Sequence, residues 1–227
     1  MMLLYKYYPA EYGREAILNR RLKISELGAT NDPFELASIN TKDKEVRSKI
    51  QDWRREVSRF YGMISLCNNR KNPVMWSHYA EGYKGICLGI EVGMQELTQV
   101  KYRAERTEIS LEQLNEALLH PGNTDLRDLM CTKFLHWSYE SEWRVIFKLS
   151  EYDTQERGSL KFLPFSSSLK LREVILGPNY EPKDKKTSEA LKKAISDSAE
   201  CVLRTARPAF QKFEIVLQQN DRLAKHL

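Results

Sequence analysis

The 227-residue sequence predicts an α+β fold, a mainly antiparallel sheet with several packed helices. Three observations lead there. Short apolar runs such as "GMISLC", "GICLGIE" and "LREVILGP" are interspersed with helical patterns, without the sustained strand–helix–strand rhythm of a parallel sheet. The stretch "YESEWRVIFKL" keeps the period-two alternation of a strand covered on one face. With 41% apolar and 10% aromatic residues the chain can bury a large core, so residues 1–227 are expected to form a single domain.

Taken in order, "LLYKYY" is a first strand that Pro9 ends. "AEYGREAILNR" suits a short helix and "RLKIS" a second strand. In "LGATNDPFE", Asn31 and Asp32 stand before Pro33 and form a turn, because both side chains bond their own backbone and proline bars a helical residue before it. A helix follows over about residues 42–60, with Ile50, Trp53, Val57 and Phe60 on one side. "GMISLC" reads as a buried strand and "NNRKNP" as a loop. From Val74 to Tyr83, the residues Trp76, Tyr79, Ala80 and Tyr83 share one helix face, and Gly82 and Gly85 stop that helix before "GICLGIE". "QVKYR" is a further strand, two helices are expected within 110–136, and "YESEWRVIFKL" is the strand with the clearest pattern. After the charged, hairpin-like "SEYDTQERGS" come "LKFLPF", the strand "LREVILGP", a helix over about 183–197, and paired strands "CVLRTA" and "FEIVLQ".

Composition narrows the function. A mean hydropathy of -0.56 and 30% charged residues fit a soluble chain. No apolar run approaches the roughly 20 residues that span a bilayer, and "MMLLYKYYPAEYGRE" lacks the profile of a secretory signal. The cytoplasm is the expected compartment, with no membrane partner. Cys67, Cys87, Cys131 and Cys201 are scattered, with no CxxC pair and no histidine at ligand spacing, so no metal is expected. The net charge of +5 resides mostly in mixed-sign helices such as "KDKEVRSKIQDWRREVSRF", which read first as solvated faces and only second as a nucleic-acid surface. The P-loop, dinucleotide-fingerprint, nucleophile-elbow and HExxH patterns do not occur.

Three stretches carry candidate chemistry. On a strand, Glu140, Glu142 and Arg144 point to one face and Tyr139, Ser141, Trp143, Val145 and Phe147 to the other, the apolar face being the core side. The charged face is either solvated surface or a cleft in which Arg144 fixes one carboxylate or a phosphate and the other carboxylate does chemistry. The turn with Asn31, Asp32 and Glu35 offers acceptors, or simply caps itself. In "MWSHYA", Trp76 and Tyr79 line either a core or a ligand wall, while His78 lies off that face and is a general acid/base candidate.

Together "LLYKYY", "ATNDPFE", "ISLCNNRKNPVMWSHYAEGYKGICLGIE", "KFLHWSYESEWRVIF" and "LREVILGP" resemble a widespread bacterial family classified as a domain of unknown function, from Tyr5 to about Gly177. That resemblance supplies no activity. A second resemblance is functional: Glu140-Ser141-Glu142 is similar to the glutamate motif of mono-ADP-ribosyltransferases. It implies NAD as cofactor or substrate, Glu142 as the ribose-binding glutamate that stabilises an oxocarbenium-like transition state, Glu140 as its partner, and Lys6 or Arg144 on the pyrophosphate. It would place Ser65 on the counterpart of that superfamily's serine strand. The first strand, with Tyr5, Lys6 and Tyr7, departs from the usual Arg or His.

Three functions follow from different classes: an NAD-using transferase or NAD hydrolase, a non-catalytic sensor or interaction module in stress or phage defence, and a carboxylate-based, metal-dependent nucleic-acid hydrolase using Asp32, Glu140 and Glu142.

Overall fold

The structure, a computed structural model, describes residues 1–25, 34, 38–119, 128–198, 200–220 and 227. Asn31, Asp32 and Glu35 lie outside the described residues. Along the chain, β1 (Met2–Tyr8), α1 (Ala10–Leu18) and β2 (Arg21–Lys23) precede α2 (Lys44–Phe60), β3 (Tyr61–Cys67), α3 (Pro73–Tyr79) and β4 (Ile86–Val92). Then come β5 (Leu97–Gln99), β6 (Lys101–Arg103), α4 (Leu111–Leu119), β7 (Thr132–Phe134) and β8 (Glu142–Lys148). The last third holds β9 (Gln155–Arg157), β10 (Leu160–Pro164), β11 (Leu169–Leu176), α5 (Lys185–Ser196), β12 (Val202–Pro208) and β13 (Ile215–Leu217). The α+β class holds, with mainly antiparallel pairing. The chain divides into two compact units interleaved in sequence: Met1–Lys23, Leu66–Gln95 and Phe162–Leu227 form the first, Ile24–Ser65 and Glu96–Lys161 the second.

In the first unit β4 is central. It pairs antiparallel with β1, Tyr5 opposite Gly89 and Tyr7 opposite Cys87, and antiparallel with β11 on its other side, where a bulge falls between Leu171 and Glu173. All but one residue of β4 is buried, which is why "ICLGIEV" reads as a nearly continuous apolar run. The chain then crosses over through α5, whose N-terminus Asp184 caps by accepting from Thr187 N at 2.8 Å, so that β12 returns parallel to β11. β13 closes the edge antiparallel to β12. The core gathers Leu4, Ile17, Trp76, Ile86, Leu88, Ile90, Val174 and Leu191. Gly13 lets α1 approach β4: a Cβ there would stand 2.9 Å from Ile86 Cβ.

The second unit is built on α2. Asp43 caps it by accepting from Glu45 N and Val46 N, and Val46, Ile50 and Trp53 recur at helical spacing on its buried side. They pack with Ile39, Met63, Leu114, Leu129, Met130, Cys131 and Ile146. Phe60, expected on that side, is exposed, because the helix ends there and β3 begins. β5 pairs antiparallel with β8, and β6 parallel with β7.

Two expected elements differ. The described residues of 110–136 hold α4 and helical residues at 128–130, but Thr132–Phe134 is a strand, paired with β6. The strand expected from Tyr139 begins only at Glu142: Leu135–Glu140 forms a 3₁₀ turn, and Ser141 takes a left-handed conformation with φ 46°. The described cysteines are all free thiols. Among the described residues no helix is long and apolar enough to cross a membrane.

Candidate functional site

The face of β8 that was expected to look outward is buried. Glu140 and Glu142 are each only 5% exposed and Arg144 is fully buried. Such charges are tolerated inside a protein when each is paired and hydrogen-bonded. Here they are. Arg144 donates from Nε to Glu142 Oε1 at 2.8 Å and from Nη2 to Glu142 Oε2 at 3.1 Å, while Nη1 donates to the Met130 carbonyl. Lys133 on β7 donates from Nζ to Glu140 Oε2 at 2.5 Å and to Glu142 Oε2 at 3.0 Å. Its ammonium also lies 5.2 Å from the centre of the Trp137 ring. The Tyr102 hydroxyl on β6 accepts from the backbone N–H of Glu142 at 2.8 Å, and the Ser65 side chain on β3 bonds the Glu142 carboxylate.

Local backbone explains how the two glutamates meet one lysine. On a straight strand Glu140 and Glu142 would stand about 7 Å apart along one face. The 3₁₀ turn and the left-handed Ser141 instead fold Glu140 back, so both carboxylates converge on the ammonium of β7. A residue with positive φ is strained unless its surroundings hold it, and the ion pairs on either side of Ser141 supply that hold.

The electrostatics follow from these partners. Burial pushes the Glu142 carboxyl upward, but the charges of Arg144 and Lys133, with hydrogen bonds from Arg144 and Ser65, outweigh it and bring the carboxyl down to about 2. Burial raises the Tyr102 phenol to about 12, with the neighbouring glutamates adding to it. Glu142 is therefore a permanent carboxylate near neutral pH, and Tyr102 a neutral phenol.

Lys133 also forms part of the wall of a cavity of about 300 Å³ in the same unit. The lining includes Phe34, Arg103, Glu105, Arg106 and Phe134. The Arg106 guanidinium lies 4.9 Å from the centre of the Phe34 ring. Two arginines, a lysine and two aromatic rings suit a ligand with a flat part and an anionic part.

The remaining predicted residues lie in the first unit. Trp76 is fully buried, donates Nε1–H to the Arg70 carbonyl at 2.9 Å, and meets Tyr7 edge-on with ring centres 5.1 Å apart. It is core of that unit. Tyr79 is half-buried and His78 exposed, the two rings 6.2 Å apart. Lys6 is half-buried on β1, its ammonium 5.6 Å from the Tyr8 ring centre. Among the described residues no group of three or more His, Cys, Asp and Glu could hold a metal ion. The physical reason at Glu140 and Glu142 is direct, since the Lys133 ammonium occupies the position between them that a divalent cation would need.

Sequence reasoning missed Lys133, Tyr102, Arg103 and Arg106. Lys133 is separated from Glu140 by the 3₁₀ turn, which no periodicity announces, and Tyr102 arrives from another strand. One signal was available: "CTKF" and "QVKYR" are short strand-like runs, each carrying a lysine among apolar or aromatic neighbours.

Residues 75–145 match the model of the family described as "Protein of unknown function (DUF2971)". No curated protein and no solved structure matches the chain.

Proposed function

We propose that the second unit binds an NAD-type dinucleotide in the cavity walled by Arg103, Arg106, Lys133 and Phe134, and that the Ser65–Glu142 pair is the acidic centre this ligand meets. The observation that carries the reading is Lys133: this one residue lines the cavity and, through its ammonium, holds the buried carboxylate pair, so the cavity and the ion network share a residue. Arg103 and Arg106 suit pyrophosphate, and Phe34 and Phe134 suit a stacked base. The hydrogen bond between Ser65 and Glu142 supports the likeness to mono-ADP-ribosyltransferases, in which serine and glutamate strands share a site. An ionised glutamate is the group that stabilises positive charge developing at a ribosyl carbon.

A second reading, a sensor that binds without reacting, is favoured by a separate fact. Both Glu142 oxygens are already engaged, by Arg144 and Lys133, so the carboxylate is held as structure.

One experiment orders these readings. Melting of the full chain is followed with NAD, ADP-ribose and inorganic phosphate, alongside nicotinamide release, for the wild type, Arg103→Ala/Arg106→Ala and Glu142→Gln. A rise in melting temperature with NAD that the double arginine variant loses supports the site. Nicotinamide release that Glu142→Gln abolishes at a temperature where that variant is still folded assigns a transferase or hydrolase, and stabilisation without release assigns the sensor. Absence of any shift with NAD or ADP-ribose overturns the proposal.

A further inference from the structure

The loop between β12 and β13 in the first unit carries "RPAFQKFE", in which Phe210 and Phe213 are 90% and 99% exposed. Leaving two phenylalanine rings in water forgoes about 1.5–3 kcal/mol of burial each. A single exposed aromatic calls for no explanation; two on one short loop, held in place, do. The loop is tied at both ends: Ala209 N–H donates to the Glu214 carbonyl at 2.9 Å, and Ile215 N–H donates to the Lys71 carbonyl at 2.8 Å. Arg207 donates to the Pro208 carbonyl at 2.9 Å and lays its guanidinium 4.3 Å from the Phe210 ring centre. One side of Phe210 is thus backed by a cation, and Phe213 is open all round.

The charges around the rings are mainly cationic. Lys71, Arg207 and Lys212 stand on or beside the loop, against the Glu214 carboxylate that pairs with Lys71 at 3.7 Å. Between the two rings stand Gln211 and Lys212. A loop built to enter lipid would follow its aromatics with aliphatic residues, whereas this one interleaves them with polar and cationic ones. Open aromatic faces alternating with cations match single-stranded nucleic acid, whose bases stack on rings while its phosphates pair with Lys and Arg.

We propose that the Phe210–Phe213 loop is a stacking platform for single-stranded nucleic acid. The loop belongs to the first unit and the cavity to the second. Arg207 holds Phe210 upright, Phe210 and Phe213 take bases, and Lys212 takes phosphate.

Fluorescence anisotropy of the full chain with labelled oligo(dT) and oligo(U) of about 12 nucleotides tests it. The wild type binds the single strands, and binds a duplex of the same length more weakly. Phe210→Ala/Phe213→Ala, which removes only exposed side chains, keeps the circular dichroism spectrum and weakens strand binding about tenfold or more. Phe210→Trp/Phe213→Trp restores it, and Lys212→Gln flattens the salt dependence. The proposal is overturned if the wild type fails to bind either strand, or if the alanine variant binds as well as wild type. It is equally overturned if the phenylalanines are required for anionic phosphatidylserine vesicles and not for the strands.

Discussion

Arg144 and Glu142 stand two positions apart on one strand and grip each other through two hydrogen bonds, at 2.8 and 3.1 Å, with Arg144 fully buried. Neighbours at this spacing share a strand face, so the pair is fixed by backbone geometry before any tertiary contact forms. Its cost lies in removing both charges from water, and its stability rests on Lys133, Ser65 and the Met130 carbonyl completing the set.

Removing one partner leaves an uncompensated buried charge. Arg144→Met is expected to destabilise the protein by about 3–5 kcal/mol, and Glu142→Gln by a comparable amount. Because each removes the same interaction, Glu142→Gln/Arg144→Met is expected to cost less than the two single changes together. Urea denaturation of the four proteins measures this coupling, and strict additivity would contradict a shared network.

Acid should loosen the network within a defined window. The Glu142 carboxyl ionises near 2 in the folded protein, against 4.5 for an ordinary glutamate. A depressed carboxyl contributes stability that is fully present above the ordinary value and is lost as pH falls toward the folded value. The contribution, on the order of 3 kcal/mol, therefore disappears between pH 4.5 and about 2. Melting temperatures across that range should fall steeply in the wild type, with part of the slope gone in Glu142→Gln.

Two glycines mark backbone crossings in the first unit. A Cβ on Gly85 would lie 2.1 Å from the Tyr8 carbonyl oxygen, and one on Gly177 2.2 Å from that of Tyr83; neither neighbour is a movable side chain. Gly85→Ala and Gly177→Ala should each cost about 3 kcal/mol or more. Gly82 has φ 58° and open space around it, so Gly82→Ala should cost only about 1–2 kcal/mol, from conformation alone. Equal losses at all three positions would contradict this.

The aromatic helix α3 separates into two roles. Trp76→Ala should cost about 3–5 kcal/mol, since it empties a filled core position and leaves the Arg70 carbonyl without its donor. His78→Ala should change stability by no more than about 0.5 kcal/mol, because the ring is exposed. Tryptophan emission, blue-shifted for a buried indole and lost selectively in Trp76→Phe, checks the first.

What could be read from residues alone depended on how local the cause was. β4 and α2 were legible because their apolar spacing is itself the reason they form. The pair Glu142 and Arg144 was legible, since the i, i+2 spacing is local, whereas Glu140 joins them through a 3₁₀ turn that no strand alternation announces. The pair's burial was not: alternation identifies two faces of a strand, and the apolar one was assigned to the core, yet Glu142, Arg144, Val145 and Phe147 are buried on both. Tyr102 and Ser65 arrive from β6 and β3, long-range neighbours that leave no trace in spacing. The left-handed Ser141 was hidden because serine is an unremarkable residue there, whereas glycine or asparagine would have flagged it.

The interleaved order of segments bears on how the nascent chain must behave. The first unit needs Leu169–Leu176 to complete the pairing of its central strand, yet that strand, Ile86–Val92, leaves the ribosome with only the N-terminal strand available to it. At about 5–20 residues per second, one edge of a nearly all-apolar strand stays unpaired for on the order of ten seconds during translation. That interval is a window for chaperone capture or for mispairing between neighbouring polypeptides on one polysome.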